Sequence, residues 1–282
     1  MKNFKGKAIY NPSGKAGEYA KWACNFYVGC SNGCEYCYCK KGILSGAMGM
    51  DKPQLKKCFK DENHAMEIFE KEVIQNLPDL QKHGLFFSFT TDPMLYETNK
   101  LTRLAMRKCL SLKVPIKILT KKADWVDDFL EAPDFYISGW SDWNISDNVI
   151  LNYIAFGFTL TGHDELEPGA STNAERIEAM RKLHDAGFKT FASIEPIIDF
   201  DSSRKMIYDT ISFCDLYKIG LESGKKYPKS EIQKFVKLLP HRISPSKIYF
   251  KDSLLKAAGI DRSELPANCV GRDFNLFEYS EL

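Results

Sequence analysis

Three cysteines, Cys30, Cys34 and Cys37, stand in the run Gly29-Cys-Ser-Asn-Gly-Cys-Glu-Tyr-Cys-Tyr-Cys-Lys40, with three and then two residues between successive thiols. Thiolates this close in sequence can grip one compact metal centre from one side. Closed structural sites use four protein ligands, whereas a catalytic centre keeps a position free for water or substrate. Three cysteines on a four-iron cluster leave one iron open, and an open iron can bind a small molecule. Two closed alternatives stand beside that reading. A zinc knuckle would recruit Cys24 or Cys39 as a fourth ligand, although structural zinc usually takes paired C-x-x-C spacings. A closed electron-transfer cluster would use Cys39, but the single residue between Cys37 and Cys39 strains their joint ligation of one cluster.

The totals bound the setting. The chain has 282 residues, 44% hydrophobic and 27% charged, enough to bury a sizeable core in one large α/β domain or two smaller ones. Nine cysteines is an odd number, and their crowding between positions 24 and 39 suits metal binding in a reducing compartment better than a disulfide framework. The other four, Cys58, Cys109, Cys214 and Cys269, are scattered and read as buried, inert thiols. No apolar run follows the basic start Met1-Lys-Asn-Phe-Lys, so a cytoplasmic protein with no secretory signal or membrane anchor is expected. A net charge of +2 gives no bulk argument for nucleic acid, and the lysine pairs at 56–57, 121–122 and 225–226 read as solvated faces.

The elements that must position the cysteines follow from periodicity. Short apolar β-type runs alternate with amphipathic helical segments, the pattern of a parallel sheet. Strands are expected at 23–28, 85–89, 115–119, 154–160, 188–194 and 216–220, and helices at 64–77, 100–112, 123–130, 173–186, 202–212 and 230–239. Ser171 or Thr172 should cap the fourth helix and Gly187 end it. Six βα units in order predict a partial (β/α)6 barrel over residues 1–239, with an N-terminal extension. Residues 240–282, with a strand at 247–250 and a helix at 253–258, form a C-terminal extension packed on that core. The segment 132–148, with Trp140 and Trp143, interrupts the alternation as an extra strand or a lid.

Barrels of this kind place their chemistry in the loops after the strands. The cysteine loop follows the first strand. Thr90, Thr91 and Asp92 follow the second, Thr120 and Lys121 the third, and Thr159 to His163 the fourth. Glu195, between Ile194 and Pro196 after the fifth, is a carboxylate expected to be partly buried and poised for a specific partner. His163 reads either as a contact to substrate or a proton relay on that face, or as an exposed loop histidine. His184 reads as helix surface, and Gly14-Lys15 lacks the spacing of a phosphate loop.

Cys30-x-x-x-Cys34-x-Tyr36-Cys37 resembles the cluster motif of the radical S-adenosylmethionine (SAM) enzymes, whose partial (β/α)6 barrel the βα series also fits. The resemblance is nearer to the spore photoproduct lyase-like branch, often labelled DNA repair photolyases. It runs through Cys34-Glu-Tyr36-Cys37-Tyr38, Ser88-Phe-Thr-Thr-Asp92-Pro, Thr120-Lys121, Ala186-Gly187-Phe188 and Glu195-Pro196-Ile197, over roughly residues 20–220. It implies a 4Fe-4S cluster on Cys30, Cys34 and Cys37, with SAM chelating the open iron and cleaved reductively to a 5′-deoxyadenosyl radical. That radical abstracts hydrogen from a substrate, which by resemblance is a nucleic acid or nucleotide. It also implies an external electron donor such as flavodoxin or ferredoxin. Tyr36 would contact the SAM adenine and Tyr38 would lie near the cofactor in a catalytic position. Thr90, Thr91 and Asp92 would hold polar groups of SAM, and Lys121 and Thr159 its carboxylate or ribose. One segment departs. Spore photoproduct lyase carries a cysteine there that returns a hydrogen atom to the product, and Ser88-Phe89-Thr90-Thr91-Asp92 contains none, so Cys39 or Cys269 would have to supply a thiol from elsewhere.

Overall fold

The computed structural model describes residues 4–42, 45–131, 151–243 and 245–277. An eight-stranded, mostly parallel sheet forms its centre, made of β1 (Ile9–Tyr10), β2 (Ala23–Cys24), β5 (Leu85–Phe87), β6 (Ile116–Thr120), β7 (Ile154–Thr159), β8 (Lys189–Ile197), β9 (Leu216–Leu221) and β10 (Lys247–Phe250), side by side in chain order. Only β1 runs antiparallel, against β2. A separate ribbon pairs β3 (Tyr27–Val28) with β4 (Gln54–Leu55).

Alternation along the strands builds two apolar layers. Leu85 and Phe87, Ile116 and Ile118, Phe156 and Phe158, Tyr217 and Ile219, and Ile248 and Phe250 pack outward in the larger core. Phe86, Ala155, Phe191, Leu216 and Tyr249 point the other way and form a second, smaller cluster with Tyr19 and Phe277. Parallel strands covered on both faces are expected to be apolar throughout, and all six residues of β7 are buried. On the inner face Phe191 lies across Gly157, where an added Cβ would stand 2.3 Å from its ring.

The helices start where side chains can satisfy their free N–H groups. Thr172 opens helix Asn173–Asp185 with a capping box: its hydroxyl accepts from Glu175 N, and Glu175 Oε2 accepts from Thr172 N at 2.7 Å. Ser171, the other candidate cap, accepts instead from Ala123 N. Asp61 and Asp199 cap Glu62–Gln75 and Phe200–Thr210.

Three expectations are corrected. The run 23–28 is two short strands in different sheets. The chain leaves the main sheet at Asn25, whose side chain accepts from Phe89 N and donates to Tyr10. β1 escaped notice because two residues carry no periodicity. The first long helix ends at Gln75, and a second one, Leu77–His83, has Pro78 in its first turn. β8 runs on to Ile197 through an irregular register between Ile194 and Ile197, so Glu195 belongs to a strand and not to the loop beyond it. β10 pairs in parallel with β9, so the expected C-terminal strand is the edge of the central sheet. The segment 132–148 lies outside the described residues. Among the described residues, no helix is long and apolar enough to cross a membrane.

Candidate active site

The carboxyl ends of the parallel strands open into a cavity of about 700 Å3. Cys30, Cys34 and Cys37 line it, as do Tyr36, Tyr38, Thr90, Thr91, Asp92, Lys121, Thr159 and Glu195. Of the residues singled out in the sequence, His163, Cys24 and Cys269 are absent from this lining. The His163 ring joins Asp199 and Glu165 at 2.6 and 2.7 Å.

The cysteine loop is held from two directions. Cys30 N donates to Met50 O, and Gly29 (φ +82°) passes so close to the 50–52 segment that a Cβ would stand 2.4 Å from Lys52 O. On the other side Glu35 N donates to Leu166 O and Gly169 N to Asn32 O, fastening the loop to the β7 connection. A hydrogen bond from the Cys39 thiol, together with the Cys39 and Lys40 N–H groups and the charge of Lys121, outweighs burial and brings Cys37 down to about 6. Cys39 is buried, and its thiol lies 3.7 Å from Phe89 O, which also accepts from the Tyr38 hydroxyl.

Asp92 is the structural hub of the site. Its carboxylate accepts from Asn32 Nδ2 at 2.8 Å, Met94 N at 3.0 Å, Thr120 Oγ1 at 2.6 Å and Lys121 N at 2.7 Å. Those four bonds use the acceptor capacity of a carboxylate, so Asp92 fixes its neighbours in place and offers no free oxygen to a ligand. Thr90 is spent too, donating to Tyr27 O at 2.6 Å. The groups left over are next to them. Thr91 Oγ1 and Asn32 Oδ1 are buried without a partner, and both residues line the cavity. Buried polar atoms are nearly always paired, so these two in the lining are polar atoms of the site with hydrogen-bonding capacity left for a ligand.

A second group of residues was not foreseen. Glu167, fully buried, accepts from Arg176 Nη2 and from the Tyr36 hydroxyl, and its Oε1 lies 4.0 Å from Lys121 Nζ. Arg176 in turn donates to Thr159 O at 2.6 Å and Ser171 O at 2.8 Å. Burial, Glu167 and Cys34 push Tyr36 far above the usual phenol range, so it stays a donor. Burial lowers Lys121, but Cys34 and Glu167 outweigh it and raise the group overall, so it stays an ammonium. That ammonium lies 5.4 Å from the Tyr36 ring centre. The signal for Arg176 was present in the sequence. It shares the buried stripe of its helix with Ala179, Met180 and Leu183, three, four and seven residues on, where an unpaired charge has no place.

Among the described residues, no three His, Cys, Asp or Glu side chains converge as the ligands of a single ion would. The three cysteines instead border a wider space, and each thiolate of a multi-iron cluster binds its own iron.

Comparison with known proteins gives one relative, the uncharacterized protein MJ0683 of Methanocaldococcus jannaschii. It is 26% identical over 226 residues, which cover 76% of this chain and 74% of that protein. No family model and no solved structure matches the chain.

Proposed function

We propose that this chain is a radical SAM enzyme, its sheet the partial (β/α)6 barrel of that superfamily, working with a 4Fe-4S cluster and SAM in the reducing interior of the cell. The observation that carries the reading is the shared cavity. Three cysteines in C-x-x-x-C-x-x-C spacing border one space with two unpartnered buried acceptors and a cationic side chain.

The residues fit such a group. Cys30, Cys34 and Cys37 would hold the cluster. Thr91 Oγ1 and Asn32 Oδ1 would meet polar groups of SAM, Lys121 its carboxylate, and the Tyr36 ring its adenine. When bound, the pair supplies a 5′-deoxyadenosyl radical by one-electron reductive cleavage of SAM. The chain's own work is to orient and to exclude. Asp92 fixes Asn32 and the Lys121 backbone, Glu167 fixes Tyr36, and Phe89, Leu119, Leu221, Met48 and Met50 give the cavity apolar walls that keep out water. The electron would come from an external donor such as flavodoxin or ferredoxin. A nucleic acid or nucleotide remains the substrate that the motif resemblance suggests.

Anaerobic reconstitution with iron and sulfide, followed by dithionite and SAM, tests the proposal. 5′-Deoxyadenosine should form, and the spectrum of the reduced cluster should change when SAM is added. A cluster whose spectrum ignores SAM, with no 5′-deoxyadenosine, overturns it in favour of a non-enzymatic iron-sulfur or zinc-binding module.

A further inference from the structure

The cavity lining extends beyond the residues assigned to the cluster and SAM. The cysteines, Asn32 and Tyr36 lie on the loop after β3 and Thr91, Lys121 and Thr159 at the ends of β5, β6 and β7, whereas Glu195, Leu221 and Lys251 come from the ends of β8, β9 and β10. β8 is three strand spacings from β5, about 14 Å along the sheet. The two groups of residues therefore line different parts of one space.

At the β8–β10 end a buried lysine is paired with a partly buried glutamate. Lys251 Nζ donates to Glu195 Oε1 at 2.8 Å, with side-chain exposures of 3% and 19%. The pair is built into the wall. At Gly220, between them on β9, an added Cβ would stand 2.7 Å from Lys251 Cδ and 2.8 Å from Glu195 Cδ. Tyr19 closes the floor, its ring 4.9 Å from Lys251 Nζ and its hydroxyl 2.5 Å from Ser193 Oγ.

The pair is only partly satisfied. An ammonium has three protons and Lys251 gives one to Glu195; a carboxylate has about four acceptor positions, and Glu195 fills two of them, with Lys251 and the Tyr19 hydroxyl. Both residues line the cavity. Unused donor and acceptor capacity, buried and side by side, is costly unless a ligand meets it. Because the pair is neutral as a whole, it suits a neutral group that offers an acceptor beside a donor.

We propose that Glu195 and Lys251 form the substrate-recognition end of the cavity and bind an amide edge, a carbonyl oxygen facing the Lys251 ammonium and the adjacent N–H facing the Glu195 carboxylate. This deepens the function proposed above and rests on it for the meaning of substrate. The contact itself can be measured without turnover. Lys251 is a specificity residue that the βα pattern gave no reason to notice, since it follows a short edge strand.

Saturation-transfer NMR on the anaerobically reconstituted full chain tests this with rings of one size. 2-Pyrrolidinone presents the complete edge, cyclopentanone the acceptor alone, pyrrolidine a cation and cyclopentanecarboxylate an anion. The lactam should give the strongest transfer, and the Glu195→Gln/Lys251→Met double variant, which leaves no lone buried charge, should weaken it about tenfold. Lys251→Arg, which keeps charge and donors, should retain part of it. Equal transfer from all four rings, a preference for the carboxylate, or a lactam signal that survives the double variant overturns the proposal. Should the double variant not fold, a lactam preference absent from Gly220→Ala, whose Cβ displaces the pair, stands in for it, and a preference that persists there counts against the subsite. A chain that prefers the lactam but never cleaves SAM sinks the radical reading alone. One that cleaves SAM without ring preference sinks only the subsite.

Discussion

Arg176 and Glu167 are joined as an ion pair with both side chains at 0% exposure, and the same carboxylate receives the hydroxyl of Tyr36 from the cysteine loop. The fold and the site thus meet at one residue. Breaking a buried pair from one side strands the other charge, so Arg176→Met should lower unfolding stability by about 3–5 kcal/mol, read from urea denaturation. A loss below about 1 kcal/mol would mean that water reaches Glu167.

Asp92 and Thr91 are neighbours with opposite expected behaviour. Asp92→Asn replaces one oxygen, which accepts two bonds, with N–H donors facing existing donors, and should cost about 3 kcal/mol, with less iron retained per chain after reconstitution. Thr91→Val removes a buried hydroxyl that has no partner, so the melting temperature should hold or rise. Its SAM affinity, measured by calorimetry on the clustered protein, should fall about tenfold. A drop in stability with unchanged SAM affinity would reassign the hydroxyl to an internal role.

These two residues show what the sequence could and could not reveal. Spacing located the cysteine loop, and βα alternation located six parallel strands within a few residues, because both signals are local. The roles within Ser88-Phe-Thr-Thr-Asp92 depend on which partners the fold brings to each oxygen, and those are the Tyr27 carbonyl for Thr90 and donors from residues 32, 94, 120 and 121 for Asp92. Lys251 and Glu167 were illegible for the same reason: a lysine after a strand and a glutamate in a loop read as solvated until their neighbours are known. The split at Asn25 was hidden because both halves of the run are apolar.

The ligand set can be resolved cysteine by cysteine. Cys34→Ala should abolish the visible absorption of the reconstituted cluster, whereas Cys39→Ala should keep it, since Cys39 is engaged with Phe89 O and Cys37. Equal loss from both substitutions would favour a closed four-cysteine site.

His163 binds Asp199 and Glu165 outside the cavity, and this contact should make stability depend on pH. Burial lowers His163, but hydrogen bonds to Asp199 and Glu165 outweigh it and raise the group above its ordinary 6.5. A raised histidine contributes stability that is full below 6.5 and disappears as pH climbs through the folded-state value. Asp199 behaves in the opposite sense. Burial raises it, but the Ser202 N–H and His163 bring it down to about 2, so its contribution is present above 3.8 and is lost as pH falls toward 2. The melting temperature should therefore be highest between about pH 4 and 6.5 for this contact and decline on either side. His163→Gln should flatten the alkaline decline and leave most of the acid limb, because Asp199 still caps its helix through Ser202 N at 2.7 Å. An unchanged alkaline limb in that variant would place the titrating group elsewhere.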